Sequence, residues 1–453
     1  MPQESRNRRN RSIRFAVFTS LISKGSSAAL QFISLPLAAK VLGREEFGIY
    51  ATISLSVFTV AILELGVGPA LGRRISEANS RGDQKKQAQL FISGLVLVLG
   101  LALLGAMLAA LVVSIVPLPV LFGQKYEPYV EIMRPALWLG IILMASQLVV
   151  EMTDRLREGY MEAGVVNAWA TVGNFIGAII IFAGVRYEPD VSFLLLAVFG
   201  PNIIARVASM VLLLRKRPWL IASRELPRRV TMIELIREGL SFTATSFVVY
   251  FVDYTVCALI VGRLSGPADV AVFHVLMSIT TAFTGLLIMV GRPIWAAIAD
   301  AKELNDHEWM HAVIFRYYKY LCALSLAASV FLIGIGPWLI PVLYGDEFLI
   351  GRPLFICHSV LLFAMGWRLV NRYIMIGLGL IPRTVVPILS GLTIGLVLGV
   401  AGLSMWGLWA LFVGMATGAL LFPGLWLSRI ISRQLQGDKR PYSGPAMPEP
   451  KVS

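Results

Sequence analysis

Charged residues are scarce in this chain of 453 residues: they make up 15% of it, whereas hydrophobic residues make up 57%. A soluble domain usually carries ~25% charged residues. Apolar stretches of the ~20 residues that a transmembrane helix needs recur along the whole chain. The polar stretches between them are too short to bury a core, which argues against a separate soluble domain. The sequence therefore predicts an all-α integral membrane protein.

Cysteine is rare as well, and Cys257, Cys322 and Cys357 lie in apolar stretches without metal-ligand spacing. The sequence also lacks a phosphate-binding loop and the Asp-x-Asp motif of sugar-nucleotide enzymes. His307 and His311 have a spacing that can hold a metal on a helix, but no third ligand accompanies them. We therefore predict no enzyme, no catalytic residue and no metal or cofactor, and expect an H+ or Na+ gradient, or a substrate imbalance, to drive transport.

The distribution of positive charge predicts the topology. About twelve spans are expected, at roughly 14–41, 47–71, 88–116, 129–151, 164–185, 191–214, 235–262, 268–292, 312–337, 351–372, 383–401 and 406–429. With the N-terminus in the cytoplasm, 31 of the 40 Lys and Arg residues fall in cytoplasmic segments, as the positive-inside rule requires. This asymmetry explains the net charge of +13 without a nucleic-acid partner. It predicts that both termini are cytoplasmic.

The two halves of the chain resemble each other in sequence. The matches are Gly43 with Gly266 and Asp83 with Asp306 at an offset of 223, Gly123 with Gly345 at 222, and Tyr160 with Tyr373 at 213. Each half then holds six helices, so the sequence predicts two pseudo-symmetric six-helix bundles in parallel orientation, an arrangement that transporters use. The predicted segments are a cytoplasmic basic N-terminus (1–13), the first bundle (14–214), a basic cytoplasmic linker (215–234), the second bundle (235–429) and a disordered cytoplasmic tail (430–453).

Polar residues form one face of the first span and a matching face of the seventh. Lys24, Ser27 and Gln31 are spaced as on one helical face, and subtracting 223 brings Tyr250, Asp253 and Tyr254 to the same heights. Such faces avoid lipid, so we expect them to line a hydrated interior. Ionisable residues within spans are the first functional candidates. The candidates for the substrate lumen are Lys24, Gln31, Glu64, Tyr250, Asp253, Tyr254 and His274.

Two interpretations of these charges stay open. Lys24 either binds an anion in the lumen or forms a structural ion pair with Glu64 or Asp253. A second group of cations lies at the inner ends of spans, where it either reflects positive-inside topology or forms a mouth that attracts an anionic head group. The residues of this cytoplasmic mouth are Arg73, Arg74, Arg292, Arg316, Arg368 and Arg372.

Several motifs resemble those of the bacterial polysaccharide transporters, the O-antigen or Wzx-type flippases. The polar first helix is followed by Leu42-Gly43-Arg44-Glu45-Glu46-Phe47-Gly48, which is similar to the Leu-Gly-x-x-x-[Phe/Tyr]-Gly turn of that family. A Tyr-Gly-x-x-[Phe/Tyr] element is present as Tyr344-Gly345-Asp346-Glu347-Phe348, with the related Phe122-Gly123-Gln124-Lys125-Tyr126 in the first half. The likeness covers almost the whole chain.

The resemblance implies the fold of the multidrug/oligosaccharidyl-lipid/polysaccharide (MOP) superfamily, with two six-helix bundles forming a V, as in the related MATE transporters. It implies a polyprenyl-pyrophosphate-linked oligosaccharide as substrate, moved by alternating access from the cytoplasmic to the outer leaflet of the bacterial inner membrane. The product would serve O-antigen, capsule or exopolysaccharide synthesis, with a polysaccharide polymerase and glycosyltransferases as candidate partners beside the membrane lipids. Lys24 is then the residue that suits the pyrophosphate. A drug/cation antiporter of the same fold is the alternative, which Glu64 and Asp253 favour.

Overall fold

The computed structural model describes residues 22–23, 25–28, 30–58, 65–187, 189–222, 225–303 and 306–437, and every regular element in these ranges is helical. In chain order the α-helices are α1 (Leu35–Phe58), α2 (Val67–Ser80), α3 (Gln84–Ile115), α4 (Leu118–Phe122), α5 (Val130–Gly159), α6 (Ala163–Gly184), α7 (Val191–Lys216), α8 (Trp219–Ala222), α9 (Arg229–Tyr250), α10 (Cys257–Ser265), α11 (Pro267–Glu303), α12 (His307–Tyr344), α13 (Arg352–Gly377), α14 (Val385–Trp406), α15 (Leu408–Ala419) and α16 (Leu427–Gly437). Three π-helical segments lie at Leu30–Ser34, Phe251–Val256 and Leu420–Trp426. Short 3₁₀ turns include Gln124–Tyr129 and Asp346–Phe348.

Ten helices within the described ranges are long and apolar enough to cross a membrane. The clearest is α3, on which large apolar side chains such as Leu103 and Met107 are 62% and 69% exposed. Exposure of that kind is favourable only in lipid, because water would penalise so large an apolar surface. The predicted all-α membrane fold is thereby confirmed.

The boundary predicted between the first and second spans lies at a kink within α1. α1 consists of two helices that meet at this kink, and Gly43 is the residue between them. Gly43 has φ 78° and ψ 172°, a conformation that lacks a steric penalty only for glycine. The Leu-Gly motif therefore makes the turn between two helices, as the sequence predicts, and Gly266 ends α10 in a similar conformation. The rest of the predicted second span runs into residues 59–64, outside the described residues.

The helices pack into two compact units. Of the described residues, those up to 278 and those from 336 to 351 form the first unit, and those from 279 to 335 and from 352 onwards form the second. In the first unit, a cluster of buried side chains joins α2, α3, α5 and α7; it includes Val67, Leu71, Ile75, Leu90, Met152, Leu156 and Leu213. In the second unit, α14 and α15 approach so closely that a β-carbon at Gly418 would lie 2.1 Å from the carbonyl oxygen of Gly391. Small residues allow such close packing between membrane helices.

The internal repeat is visible in backbone geometry. Gly43 and Gly266 share a positive φ with extended ψ, at 78° and 172° and at 98° and 177°. Gly123 and Gly345 are a second such pair, with φ of 117° and 102°. All four glycines lie at or beside a bend or an end of a helix, as the offsets of 223 and 222 predict.

Helix capping repeats in the same register. The carboxylate of Asp83 accepts a hydrogen bond from the Lys86 amide at 2.8 Å, which caps α3. The carboxylate of Asp306 accepts one from the Trp309 amide at 3.1 Å, which caps α12. Asp306 and Trp309 lie 223 residues after Asp83 and Lys86, so α3 and α12 begin with the same capping interaction.

The offset of 213 predicted further along the chain is wrong, and the structure gives 218 instead. Gly159 ends α5 and Gly377 ends α13, and each is followed two residues later by a positive φ. A β-carbon at Gly159 would meet the Gly72 carbonyl oxygen at 2.6 Å, and one at Gly377 would meet that of Trp295 at 2.8 Å. Since Gly72 and Trp295 are themselves 223 apart, the two glycines occupy equivalent places. The predicted pairing of Tyr160 with Tyr373 was a coincidence of residue type.

Candidate functional site

The polar faces of the first and seventh spans coincide with π-helical segments. The segment Leu30–Ser34 contains Gln31, and Phe251–Val256 contains Asp253 and Tyr254. At the offset of 223, residues 30–33 correspond to 253–256, so the first and seventh spans both change to the wider π-helix at the same height. A π-helical turn frees backbone groups from the regular ladder and is frequent at functional sites. These segments are therefore the first elements of the candidate site.

The seventh-span segment carries a buried acid. Asp253 is only 4% exposed. The rings of Tyr250 and Tyr254 stack with centroids 4.3 Å apart, and the Thr255 hydroxyl donates to the carbonyl oxygen of Leu55 at 3.0 Å. The segment is thus anchored to α1 and carries the predicted lumen residues Asp253 and Tyr254, while Tyr250 lies directly before it at the end of α9.

A cluster of amides and hydroxyls lies beside the first-span segment. The Asn174 amide nitrogen donates to the Ser27 hydroxyl at 2.8 Å, and the Asn202 amide nitrogen donates to the Asn174 oxygen at 3.2 Å. Gly173 makes room, because a β-carbon there would lie 2.6 Å from the Asn202 oxygen. This Asn cluster (Ser27, Asn174, Asn202) joins the first span to α6 and α7. Ser27 lies on the polar face predicted from the sequence, whereas neither asparagine was predicted, although a polar residue within a span could have revealed both.

A buried ion pair extends this polar region along α5 and α7. Arg206 Nε donates to the Asp154 carboxylate at 2.8 Å, and both side chains are less than one-fifth exposed. One turn away, the Gln147 amide donates to the Glu151 carboxylate at 3.0 Å. A charge inside a span is expensive unless it is paired. The pairing explains how Arg206 is accommodated in an otherwise apolar helix.

The structure places His274 in an aromatic cluster at the bend of α1. Its ring lies 5.9 Å from that of Phe47 and 6.3 Å from that of Tyr50. Tyr344 and Phe348 also pack against Phe47, with centroids at 6.1 Å and 6.0 Å. His274 is therefore apart from the π-helical segments, and its predicted role in the lumen stays a prediction.

Two of the predicted mouth arginines are paired with acids. Arg73 Nη2 lies 2.8 Å from the Glu238 carboxylate, and Arg74 contacts both Glu238 and Glu234. Hydrogen bonding to Glu238 raises the pKa of Arg73 and that of Arg74 above the usual value for arginine. These carboxylates lie on α9, more than 150 residues away in sequence, and they reduce the charge available to an incoming anion.

The remaining candidates either lie on α12, α13 and the first π-helical segment or fall outside the described residues. Arg316 is exposed on α12, and Arg368 and Arg372 are half-buried on α13. Gln31 is half-buried within its π-helical segment. Lys24, Glu64 and the side chain of Arg292 lie outside the described residues.

The second unit contains its own polar network around the third π-helical segment. The Asn371 amide nitrogen donates to the carbonyl oxygens of Pro423 and Gly424 at 2.9 and 2.8 Å. The Asn371 side chain therefore joins α13 to the π-helical segment that contains Pro423. Nearby in the same unit, the His358 ring nitrogen lies 2.9 Å from the Thr280 hydroxyl. Across the described ranges, no three His, Cys, Asp or Glu side chains gather closely enough to bind a metal.

Long apolar helices with polar clusters between them define a multi-pass membrane protein. Solved structures with the same fold support this class. They are an inward-facing MATE-family multidrug transporter of the MOP superfamily (15% identity, TM-score 0.73, covering 92% of this chain and 95% of that chain) and an outward-facing one (14%, 0.64, 96% and 97%). A third is a MOP superfamily transporter from Pyrococcus furiosus with a binding pocket of reversed polarity (14%, 0.59, 94% and 96%).

The sequence identifies the family within this class. The profile of the polysaccharide biosynthesis protein family matches residues 16–295, and the chain belongs to that family. A search of curated protein sequences finds no match. Family and fold point to a transporter rather than an enzyme, in agreement with the resemblance inferred from the glycine motifs.

Proposed function

We propose that this protein is a flippase that moves polyprenyl-pyrophosphate-linked oligosaccharide from the cytoplasmic to the outer leaflet of the bacterial inner membrane. The observation that carries the proposal is the polysaccharide biosynthesis family match over residues 16–295, in a chain with a transporter fold. The distribution of Lys and Arg supports cytoplasmic termini. O-antigen, capsule and exopolysaccharide are the candidate products, and the enzymes that make and polymerise the repeat unit are candidate partners.

The polar groups inside the spans suit such a substrate. Sugar hydroxyls both donate and accept hydrogen bonds, and the amides of Asn174 and Asn202 do the same. In sequence, Lys24 shares a helical face with Ser27, so we propose that it attracts the pyrophosphate beside the Asn cluster. An H+ or Na+ gradient is the proposed driving force, since the sequence carries no nucleotide-binding loop.

Deleting the gene tests the proposal directly. Lipid-linked oligosaccharide is measured in each leaflet with an impermeant lectin, before and after disruption of the membrane. We expect it to accumulate in the cytoplasmic leaflet and to be exported again when the wild-type gene is returned. An unchanged leaflet distribution in the deletion strain would contradict flipping.

The role of Lys24 is tested in the same strain. We expect Lys24→Ala to lower export at least ten-fold. Lys85→Ala is the matched control, because Lys85 is 78% exposed and only 3.8 Å from a single partner, Glu225. Full export by Lys24→Ala would leave the flippase proposal standing and remove the pyrophosphate role.

The buried Asp253 favours a second candidate, an antiporter that exchanges a cationic drug for H+ or Na+. A lumen carboxylate can bind a cation or a proton, and Asp253 lies in a π-helical segment on a polar face. The test is retention of a cationic dye by the deletion strain. Dye retention without accumulation of lipid-linked oligosaccharide, reversed by the wild-type gene and not by Asp253→Asn, would establish the antiporter.

A further inference from the structure

Two loops of the first unit reach across the sequence repeat to the glycine bends. Glu347 follows Gly345 in the second half, and its carboxylate accepts the backbone amide of Arg44, beside Gly43, at 2.8 Å. The Arg44 guanidinium returns a hydrogen bond to the Glu347 carbonyl oxygen at 3.2 Å and pairs with Asp269 at 3.2 Å. The first-half bend is therefore held by a loop from the second half.

The reciprocal contact is present as well. Lys125 follows Gly123 in the first half, and its ammonium group donates to the Ser265 carbonyl oxygen, beside Gly266, at 3.0 Å. Arg263 donates to the Val120 carbonyl oxygen at 2.8 Å. At offsets of 222 and 223, Lys125 corresponds to Glu347 and Gly266 to Gly43. Each half thus supplies a loop that closes on the bend of the other half.

Buried side chains lie directly behind these polar contacts. Phe47 packs against Phe348, and the Tyr126 hydroxyl is 2.9 Å from that of Thr52. All four side chains are at most 1% exposed. The polar layer is exposed, with the Arg44 and Asp269 side chains 26% and 35% accessible, so it rests on interactions that water can replace.

We propose that these reciprocal contacts form a turn latch (Arg44, Asp269 and Glu347, with Lys125, Arg263 and Ser265) that opens and closes during transport. The latch joins the two halves of the repeat where their first helices bend. It lies on the side of the membrane that positive-inside topology makes the outer side. When it is closed, the aromatic layer excludes water from the kink of α1 and the end of α10, and when it opens, that layer becomes accessible. The latch is independent of which substrate is carried.

The first test measures access behind the latch in purified full-length protein. Cys257, Cys322 and Cys357 are replaced by Ser, and Thr52→Cys supplies a buried thiol of similar size to the threonine side chain. The rate of maleimide labelling is then compared with and without Arg44→Gln. We expect Arg44→Gln to accelerate labelling about five-fold, which corresponds to ~1 kcal/mol in the closing equilibrium. Lys85→Gln, which removes an exposed pair elsewhere, is expected to leave the rate unchanged.

Equal labelling rates with and without Arg44→Gln would overturn the proposal, and so would an equal acceleration by Lys85→Gln. If Arg44→Gln lowers the yield of folded protein, Glu347→Gln and Asp269→Asn replace it, because each removes only one partner of Arg44. We expect both to accelerate labelling.

The second test asks whether the latch must open. In the same cysteine-free background, Arg44→Cys and Glu347→Cys are oxidised to a cross-link in cells of the deletion strain. We expect export of surface polysaccharide to stop and to recover when a reductant is added. Normal export by fully cross-linked protein would overturn the proposal. If deletion itself leaves surface polysaccharide unchanged, the flippase function fails, and the labelling test still decides on the latch.

Discussion

Gly48 lies beside the turn latch, where the backbones of α1 and α11 approach each other closely. A β-carbon on Gly48 would lie 1.8 Å from the carbonyl oxygen of Pro267, at the start of α11. Because the obstacle is backbone, α1 and α11 would have to separate by more than 1 Å before an alanine could fit. Overpacking of this kind typically costs ~1–3 kcal/mol, whereas alanine returns at most ~1 kcal/mol in helix propensity. We therefore expect Gly48→Ala to destabilise the protein by ~1–2 kcal/mol.

The measurement is the unfolding temperature of the detergent-solubilised protein, with Gly100→Ala as the matched control. Gly100 lies in the middle of α3 with no other atom near the place of its β-carbon. The control should be unchanged or slightly more stable, since only helix propensity changes there. Gly48→Ala should also accelerate labelling of Thr52→Cys, because separated helices admit water. If Gly48→Ala unfolds at the same temperature as Gly100→Ala, the close approach of α1 and α11 is refuted.

Two further predictions concern charges elsewhere in the first unit. Arg206→Met leaves Asp154 buried without its partner and should cost ~3–5 kcal/mol, while adding Asp154→Leu should recover most of this loss in unfolding temperature; no recovery would contradict the pairing. Burial alone would raise the pKa of Glu162, but hydrogen bonds from Arg217 and Lys216 outweigh it and lower the pKa. The stabilisation is therefore complete above the unfolded pKa, near 4.5, and is lost as pH falls through the folded value. Glu162→Gln should lower the unfolding temperature at pH 7 and flatten its acid dependence, and parallel pH curves would exclude this role.

The sequence predicted best the features that depend on local chemistry. Gly43 and Gly266 could be paired because a positive φ needs glycine whatever surrounds it. Asp83 and Asp306 could be paired because an acid at a helix start caps its own helix. The offset of 213 failed because the loops between these anchors differ in length, and matching residue types across them do not define a common position.

The parts of the candidate site that escaped prediction are those made by distant or uncharged residues. Asn174 and Asn202 are neutral, and a search for ionisable groups in spans passes over them, although their amides hold the first span. Arg73 pairs with Glu77 one turn along its own helix, but Glu234 and Glu238, which also pair with these arginines, lie on α9, and no spacing in the sequence indicates that contact. The sequence predicted a polar face on the first helix but could not show which residues pack against it.

The turn latch also explains why equivalent positions of the repeat carry opposite charges. After Gly43 comes Arg44, whose amide donates to the Glu347 carboxylate. After Gly266 comes Pro267, which has no amide hydrogen to offer. An acid at position 125 would find no donor on that residue, whereas Lys125 can bind the Ser265 carbonyl oxygen that ends α10. The residue that follows the glycine thus determines the sign of the charge on the opposing loop.

Reversing the charge at position 125 should therefore destabilise the bend at Gly266. Lys125→Glu should lower the unfolding temperature by more than Lys125→Met, because it places a carboxylate against a carbonyl oxygen, at a cost of ~1–3 kcal/mol. Adding Pro267→Arg restores an amide hydrogen and a guanidinium in the arrangement of Arg44, and it should recover part of the loss. Pro267→Ala supplies the amide alone and should recover less. If neither second change improves Lys125→Glu, the backbone at this bend does not select the charge, and the reciprocity of the latch would be a matter of packing.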